Sequence, residues 1–226
     1  LTEPVRVFRA SVDSLPLEVR PGRRLPVPVA LDAAAPLVGR ESELRRLRWR
    51  WRWARRGGLH VVVVRGPAGI GKTRLAAELA AAVDAGGGTC RYASCAASPY
   101  DGAVLTTPVT EPTLVVLDDV DALDAEGLQA LERDLAGRSD DAVLVALVLD
   151  DDAATQEVLT TARRLAGDDA HVVRPRPLHL DEMLQLAALY VGDAADVVPR
   201  DLLADSGGVP RRVHERISEW AHAHAS

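Results

Sequence analysis

A glycine-rich segment after a mostly apolar, β-branched run constrains the fold of this chain more than any other feature. The run covers Leu59 to Val64, and the segment reads Gly66-Pro67-Ala68-Gly69-Ile70-Gly71-Lys72-Thr73. Such a run predicts a strand buried on both faces, as in a parallel sheet, and the residues from Lys72 to Val83 predict a helix. A strand, a glycine-rich loop and a helix in this order form a P-loop, whose exposed backbone N–H groups bind phosphate.

Each part of this loop has an expected role in binding a nucleoside triphosphate. The glycines let the backbone wrap the phosphates, and the helix that begins near Gly71 adds the positive end of its dipole. We expect Lys72 to contact the β- and γ-phosphates and the Thr73 hydroxyl to ligate Mg²⁺. The predicted ligands are ATP or ADP with Mg²⁺, and the alternative is a structural glycine-rich turn. The predicted cofactor-binding residues here are Gly66, Pro67, Ala68, Gly69, Ile70, Gly71, Lys72, Thr73 and Arg74.

The distribution of basic residues supports a phosphate-binding role for Lys72. The chain has 27 basic residues, and Lys72 is the one lysine among them. In a chain that otherwise uses arginine, a lysine where phosphate chemistry requires it indicates a specific need for lysine at that position. The composition, which is rich in alanine, poor in lysine and free of asparagine, also suggests a bacterial gene of high GC content.

Two carboxylates follow a second predicted strand that is buried on both faces. The strand covers Leu114 to Leu117, and Asp118 and Asp119 come directly after it. Beside the P-loop strand, the first carboxylate would hold Mg²⁺, usually through water, and the second could orient or deprotonate an attacking water. The alternative for Asp119 is a helix N-cap or a surface acid. The predicted catalytic residues are Asp119 and Lys72, and the predicted metal ligands are Thr73 and Asp118.

Strand and helix patterns alternate through the middle of the chain. Strands are predicted at Leu59–Val64, Cys90–Cys95, Leu114–Leu117, Val143–Leu149 and His171–Arg174. Helices are predicted at Glu41–Arg56, Lys72–Val83, Ala125–Leu135 and Thr155–Leu165. Residues 96–112 are predicted to be a loop, and Asp121 and Asp124 are expected to cap the helix that follows them. The alternation predicts an α/β fold, a P-loop NTPase with a mostly parallel sheet flanked by helices.

The pattern changes beyond Pro177, where only helical segments follow. They lie at Asp181–Val191, Arg200–Ala204 and Val209–His224. We therefore predict three parts of the chain. They are a linker or tail of an upstream domain over residues 1–35, a P-loop ATPase core over 36–176, and a small helical domain over 177–226.

Two further segments carry a resemblance to a known family. Val38-Gly39-Arg40-Glu41 precedes the first predicted strand, and Gly207-Gly208-Val209-Pro210-Arg211-Arg212 lies in the helical region. Together with the P-loop and the two acids that follow the predicted strand, these segments resemble the STAND branch of AAA+-related ATPases, the signal-transduction ATPases with numerous domains. The resemblance extends from residue 36 to about residue 224.

The resemblance implies roles for residues outside the P-loop. In the family the first segment packs on the adenine, which implies cofactor contacts for Val38, Gly39 and Arg40. The helical domain becomes a lid, in which an arginine called sensor 2 contacts the γ-phosphate. The matching residues are Pro210 with Arg211 or Arg212. The alternative is a lid helix whose arginines face solvent or a missing downstream region.

The chain departs from the family pattern at two places. The related ATPases place Arg, Thr or Asn after the fourth strand to sense the γ-phosphate, whereas Leu149 is followed by Asp150-Asp151-Asp152. Because three acids repel phosphate, we expect them to point away or to cap the next helix, and we expect hydrolysis to be slow. The stretch between Cys95 and Asp118 is also short, which leaves little room for the usual intervening helix.

The resemblance implies a regulatory switch module within a larger bacterial signalling or transcription regulator, in which ATP closes the lid and ADP opens it. The expected partners are the nucleotide, the flanking domains of the same polypeptide and, in a nucleotide-dependent way, further copies of the chain. The alternative is an oligomeric AAA+ machine that does mechanical work on protein or DNA, with Arg163 or Arg164 as its arginine finger. A small-molecule kinase is a third class, but the short middle of the chain leaves little space for an acceptor pocket.

Arginine and tryptophan alternate in the run Arg48-Trp49-Arg50-Trp51-Arg52-Trp53. Such a run could bind nucleic acid by stacking and charge or lie on a membrane surface. We favour a helix that buries Trp51 on the core, stacks Trp49 on Trp53 as an i,i+4 pair and exposes the arginines. Nucleic-acid contact is then expected only through other domains of the polypeptide.

The bulk composition excludes several classes of protein. No window approaches the roughly 20 apolar residues of a membrane span, so no membrane association is expected. The two cysteines, Cys90 and Cys95, cannot form a disulfide framework or a zinc site alone. A cytoplasmic location is therefore expected. The net charge of −6 conceals a basic leading segment, because residues 1–56 carry 13 arginines against six acids. This segment could contact nucleic acid or dock on its own domain.

Overall fold

The structure is a computed structural model that describes residues 37–97, 100–191 and 198–224. The described chain divides into two compact units, one that ends at Arg176 and one that begins at Pro177. The expected linker over residues 1–35 lies outside the described residues.

The first unit is built on one five-stranded parallel sheet. The strands are β1 Leu59–Gly66, β2 Thr89–Ser94, β3 Thr113–Asp118, β4 Val143–Asp150 and β5 Val172–Val173. Their order across the sheet is β2-β3-β4-β1-β5, and every neighbouring pair is parallel. Every residue of β3 is buried, as is every residue of β4 except the last. The predicted α/β P-loop NTPase fold is confirmed.

Helices cover both faces of this sheet. They are α1 Glu41–Ala54, α2 Lys72–Ala85, α3 Ala103–Thr106, α4 Ala125–Ala136 and α5 Gln156–Ala166. Successive strand residues point to opposite faces, so Val62 and Val64 belong to the cluster with α1 and α2, whereas Val61 and Val63 belong to the cluster with α4 and α5. The four-residue α3 interrupts the segment expected to be a loop, and β5 is two residues shorter than its predicted strand.

The run of alternating arginine and tryptophan, Arg48 to Trp53, lies on α1 and buries Trp51, as we expected. Trp51 is 6% exposed and packs in the core, whereas Trp49 and Trp53 are 49% and 43% exposed. The two outer rings stack edge to face with centroids 5.7 Å apart. Arg50 lies 5.1 Å from the Trp49 ring centroid and Arg56 lies 4.7 Å from that of Trp53, so cation–π contacts hold the exposed rings.

The described part of the second unit contains three helices, α6 Leu180–Val191, α7 Arg200–Ala204 and α8 Pro210–His224. The turn before α8 requires glycine at position 208, because its φ is +69° and a Cβ there would lie 2.4 Å from the backbone oxygen of Leu178. The Leu178 amide donates to the Gly208 carbonyl at 2.7 Å. Within the described residues, none of the helices has the length and apolarity needed to cross a membrane.

Candidate functional site

The phosphate loop joins β1 to α2 with a backbone that only glycine adopts readily. Gly66, Gly69 and Gly71 have φ values of 158°, 75° and 97°, and Gly71 is the N-cap of α2. The first turn of α2 contains no acidic residue, and no side-chain hydrogen bond caps it. The first backbone N–H groups of the helix therefore meet no competing carboxylate from this turn, and the positive end of the dipole suits an anion.

Lys72 is folded back over the loop. Its Nζ donates to the carbonyl oxygens of Gly66 and Pro67 at 2.8 and 3.0 Å and to Oδ2 of Asp150 at 3.1 Å. The side chains of Lys72 and Asp150 are 11% and 18% exposed. Because an ammonium group has three donors, these contacts use its full donor capacity.

Asp150 corrects the expectation that the acids after β4 point away or cap the next helix. Gly66 and Asp150 are paired in register across β1 and β4, so the end of β4 lies beside the start of the loop. Asp151 pairs with Arg65 at 2.5 Å. Thr155, and none of the three acids, caps α5 by accepting from the Val158 amide.

Hydrogen bonds hold the Asp150 carboxylate in the ionised form. Burial raises its pKa, but hydrogen bonds from the Asp152 amide and from Lys72, together with the charge of Lys72, outweigh burial and hold the pKa below its ordinary value. Its own amide donates to Oδ1 of Asp121 at 2.7 Å. Asp121 therefore does not cap α4, and the cap is Asp124, which accepts from the Gly127 amide at 2.8 Å.

The two predicted metal ligands are in contact. Thr73 Oγ1 donates to Oδ2 of Asp118 at 2.9 Å, and the Tyr92 hydroxyl donates to the same oxygen at 3.3 Å. Asp118 is 4% exposed. Burial and the charge of Asp119 raise its pKa above the ordinary value, and the hydrogen bond from Thr73 offsets this only in part. A hydroxyl beside a buried carboxylate is a donor set that fits Mg²⁺, and a cation there would favour the ionised carboxylate.

Asp119 adopts a strained backbone and is held by a neighbouring strand. Among the described residues it is the one non-glycine residue with positive φ, at 55°. Its Oδ2 accepts from the Ser94 hydroxyl at 2.7 Å, and its side chain caps no helix. The Ala97 amide donates to the same hydroxyl at 3.3 Å. Sequence reasoning missed Ser94; the available signal was a hydroxyl residue at the end of a predicted strand, and its contact with Asp119 depends on the strand order.

The segment before α1 reaches the loop through a buried arginine. Arg40 is 2% exposed, and its Nη2 donates to the Ile70 carbonyl at 3.1 Å while its Nη1 donates to that of Gly39 at 3.2 Å. Val38 is half-buried. Arg74 pairs with Glu78 along α2 at 2.7 Å. The predicted adenine contacts of Val38, Gly39 and Arg40 stay a prediction.

The helical unit contains the remaining predicted residues. Pro210 begins α8, and Arg211 Nε lies 3.1 Å from Oε1 of Glu215, one turn along the helix. Both of these side chains are exposed, and Arg212 is exposed as well. Contact of either arginine with a γ-phosphate also stays a prediction.

The strand order, the phosphate loop between β1 and α2 and the acids at the end of β3 define a P-loop nucleotide-binding domain. The family model described as AAA ATPase domain matches residues 36–189, and the chain belongs to this family. No curated protein matches the sequence.

Several solved structures share the fold. The ORC1 protein of Aeropyrum pernix in complex with DNA has a TM-score of 0.61 and 18% identity over 87% of this chain and 63% of that chain. The RuvB Holliday junction branch migration motor of Thermotoga maritima has a TM-score of 0.55 and 19% identity, over 80% of this chain and 61% of that chain. NtrX from Brucella abortus in complex with ATP has a TM-score of 0.51 and 14% identity, over 81% of this chain and 49% of that chain. This chain thus spans less than two thirds of each relative, and such identities show the fold alone.

Proposed function

We propose that this domain is an ATP-binding regulatory switch of the STAND type that hydrolyses ATP slowly and controls flanking domains of a larger bacterial signalling or transcription regulator. The observation that carries the proposal is the convergence of Lys72, Thr73, Asp118 and Asp119 at the carboxyl edge of one parallel sheet. Parallel α/β sheets bind ligands at this edge.

Each residue of the site has a part in the proposed binding. The loop amides and Lys72 hold the phosphates, and Thr73 with Asp118 holds Mg²⁺. The bound Mg²⁺ neutralises charge on the phosphates. Asp119, fixed by Ser94, orients a water toward the γ-phosphate. Val38, Gly39 and Arg40 flank the adenine, and Arg40 ties that segment to the loop through Ile70.

The proposed switch motion is closure of the helical domain, residues 177–226, on the core, residues 36–176. A ligand shifts such an equilibrium only through contacts that differ between the two states. Arg211 or Arg212 in the first turn of α8 would supply that difference by pairing with the γ-phosphate, which ADP lacks.

Two observations bear on the choice between the switch and the oligomeric machine. Arg163 pairs with Asp169 at 2.5 Å, and Arg164 pairs with Glu132. Each pair is exposed and contributes at most about 1 kcal/mol, so it only weakly disfavours the offer of that arginine to a neighbouring subunit. The acid at the end of β4, where related ATPases carry a neutral or basic sensor, further supports slow turnover.

Light scattering with ATP and Mg²⁺ tests the proposal against the machine. We expect the chain to show no discrete ring and to turn ATP over slowly, since Asp150 stands where related ATPases carry a neutral or basic sensor. A discrete hexamer that forms with ATP would contradict the switch and assign Arg163 or Arg164 to the neighbouring site. The variant Arg163→Ala with Arg164→Ala would then lose hydrolysis but keep nucleotide binding.

A further inference from the structure

Asp150, the last residue of β4, occupies the position from which related ATPases sense the γ-phosphate. In this chain the Asp150 carboxylate lies 3.1 Å from the Lys72 ammonium, the group expected to contact the β- and γ-phosphates. The contact follows from the sheet itself, because Gly66 and Asp150 are register partners on adjacent strands. The pair is therefore built into the fold of the site.

The Asp150 side chain is fixed in this position. Its Oδ1 accepts from the Asp152 amide at 2.9 Å, which leaves Oδ2 directed at Lys72. Its backbone is held at both ends, since its amide donates to Asp121 and its carbonyl accepts from the Ala154 amide at 3.0 Å. Two contacts thus hold the carboxylate and two hold the backbone, so the carboxylate cannot rotate away from an incoming anion without losing the contacts to the Asp152 amide and Lys72.

A third phosphate and Asp150 compete for the same cation. Two other arginines near this edge already have partners, because Arg65 pairs with Asp151 and Arg40 donates to Ile70. A diphosphate brings only its β-phosphate toward Lys72, whereas a triphosphate brings its γ-phosphate as well. A γ-phosphate needs Lys72 and must approach the Asp150 charge, so like-charge repulsion acts on the triphosphate more than on the diphosphate.

We propose that Asp150 is a specificity residue of the nucleotide site that weakens binding of the triphosphate relative to the diphosphate by competing with the γ-phosphate for Lys72. The inference rests on the proposed function, because it needs nucleotide in the P-loop. It adds to that function the expectation that ADP competes well with ATP for this site.

The test compares Asp150→Asn with wild type in calorimetric titrations with ADP and with a non-hydrolysable ATP analogue, both with Mg²⁺. Asparagine keeps the size and an acceptor but removes the charge. The affinity for the analogue should rise about tenfold, which corresponds to about 1.4 kcal/mol, and the affinity for ADP should change much less. Asp152→Asn is the matched control, since Asp152 is an exposed acid two residues away with no described side-chain contact to Lys72, and its ratio of affinities should equal that of wild type.

The outcomes separate this inference from the proposed function. If the ratio of analogue affinity to ADP affinity is the same in wild type and Asp150→Asn, the role of Asp150 is overturned. The proposal that the site binds nucleotide would then stand. A wild type that binds neither nucleotide would overturn both. If Asp150→Asn does not fold, as judged by circular dichroism, Asp150→Ser takes its place, and an unchanged ratio there would equally overturn the inference.

Discussion

At the residue scale, the site depends on carboxylates whose surroundings differ. Asp118 is buried against Thr73 and Tyr92, whereas Asp119 accepts from Ser94 and has its backbone in the left-handed region. A non-glycine residue in this region costs of order 1 kcal/mol, and the Ser94 contact helps to offset that cost. The two acids are therefore expected to act differently despite being neighbours.

Substitution of the two acids should separate binding from hydrolysis. Asp118→Ala is expected to weaken Mg²⁺-dependent ATP binding, because it removes the carboxylate beside Thr73. Asp119→Asn is expected to preserve binding and to slow hydrolysis by about 10²-fold or more, the usual range for a general base. Calorimetry with and without EDTA measures the first effect, and phosphate release measures the second. Hydrolysis by Asp119→Asn at the wild-type rate would remove Asp119 from the mechanism.

The sequence predicted residues of this site that belong to the P-loop motif or end a buried strand, but it missed their contacts across strands. Lys72 and Asp118 follow from local pattern, because strand, loop and helix positions are local properties. The Ser94–Asp119 and Lys72–Asp150 contacts depend on which strands are neighbours and on their register. The expectation that Asp150 points away was wrong because it considered only the repulsion between the acids and a phosphate. In the structure the Lys72 ammonium attracts the Asp150 carboxylate.

At the element scale, α8 is the helix whose state should report the nucleotide. Its first turn carries Arg211 and Arg212 and no acidic residue, and positive charge is disfavoured at a helix N-terminus unless an anion faces it. The partner of Arg211 within the helical unit is Glu215, in an exposed i,i+4 pair. Such a pair contributes roughly 0.3–0.5 kcal/mol, so exchange of Glu215 for a phosphate would cost little.

Hydrogen exchange of the 205–220 backbone tests this role. We expect a non-hydrolysable ATP analogue to protect the segment more than ADP does, because only the triphosphate offers a γ-phosphate to the arginines. The double variant Arg211→Ala with Arg212→Ala should lose that difference and keep nearly unchanged ADP affinity. Identical exchange in the two wild-type complexes would show that α8 does not sense the γ-phosphate.

The same helix should make stability depend on pH. Burial lowers the pKa of His214 on α8, so below about pH 6.5 the unfolded chain binds a proton that the folded chain does not. Stability is therefore unaffected by this group at higher pH and decreases as the pH falls from about 6.5 toward the folded-state pKa.

Thermal unfolding of His214→Gln between about pH 7.5 and pH 5 measures this contribution. The variant should lose less stability than the wild type over this range. His222→Gln, at an exposed position of the same helix, is the control and should behave as the wild type. A His214→Gln protein with the pH dependence of the wild type would show that His214 does not contribute.

At the scale of the whole molecule, the strand order β2-β3-β4-β1-β5 brings distant segments to one edge of the sheet. The ends of β1, β3 and β4 carry the loop, Asp118 and Asp150, which lie far apart in sequence. Alternating patterns in the sequence predicted the number and direction of the strands, because buried parallel strands have a distinct composition. They could not predict the strand order, which depends on packing between distant segments.

The most direct measurement of the central claim, that the P-loop binds ATP, is a calorimetric titration of wild type and Lys72→Ala with ATP and Mg²⁺. The variant removes the charge that faces the β- and γ-phosphates, and it should bind ATP at least about tenfold more weakly, by about 1.4 kcal/mol. Its circular dichroism spectrum should match that of the wild type, since Lys72 is the first residue of α2 and lies outside both core clusters. Equal ATP affinity in the two proteins would contradict the P-loop assignment and the function built on it.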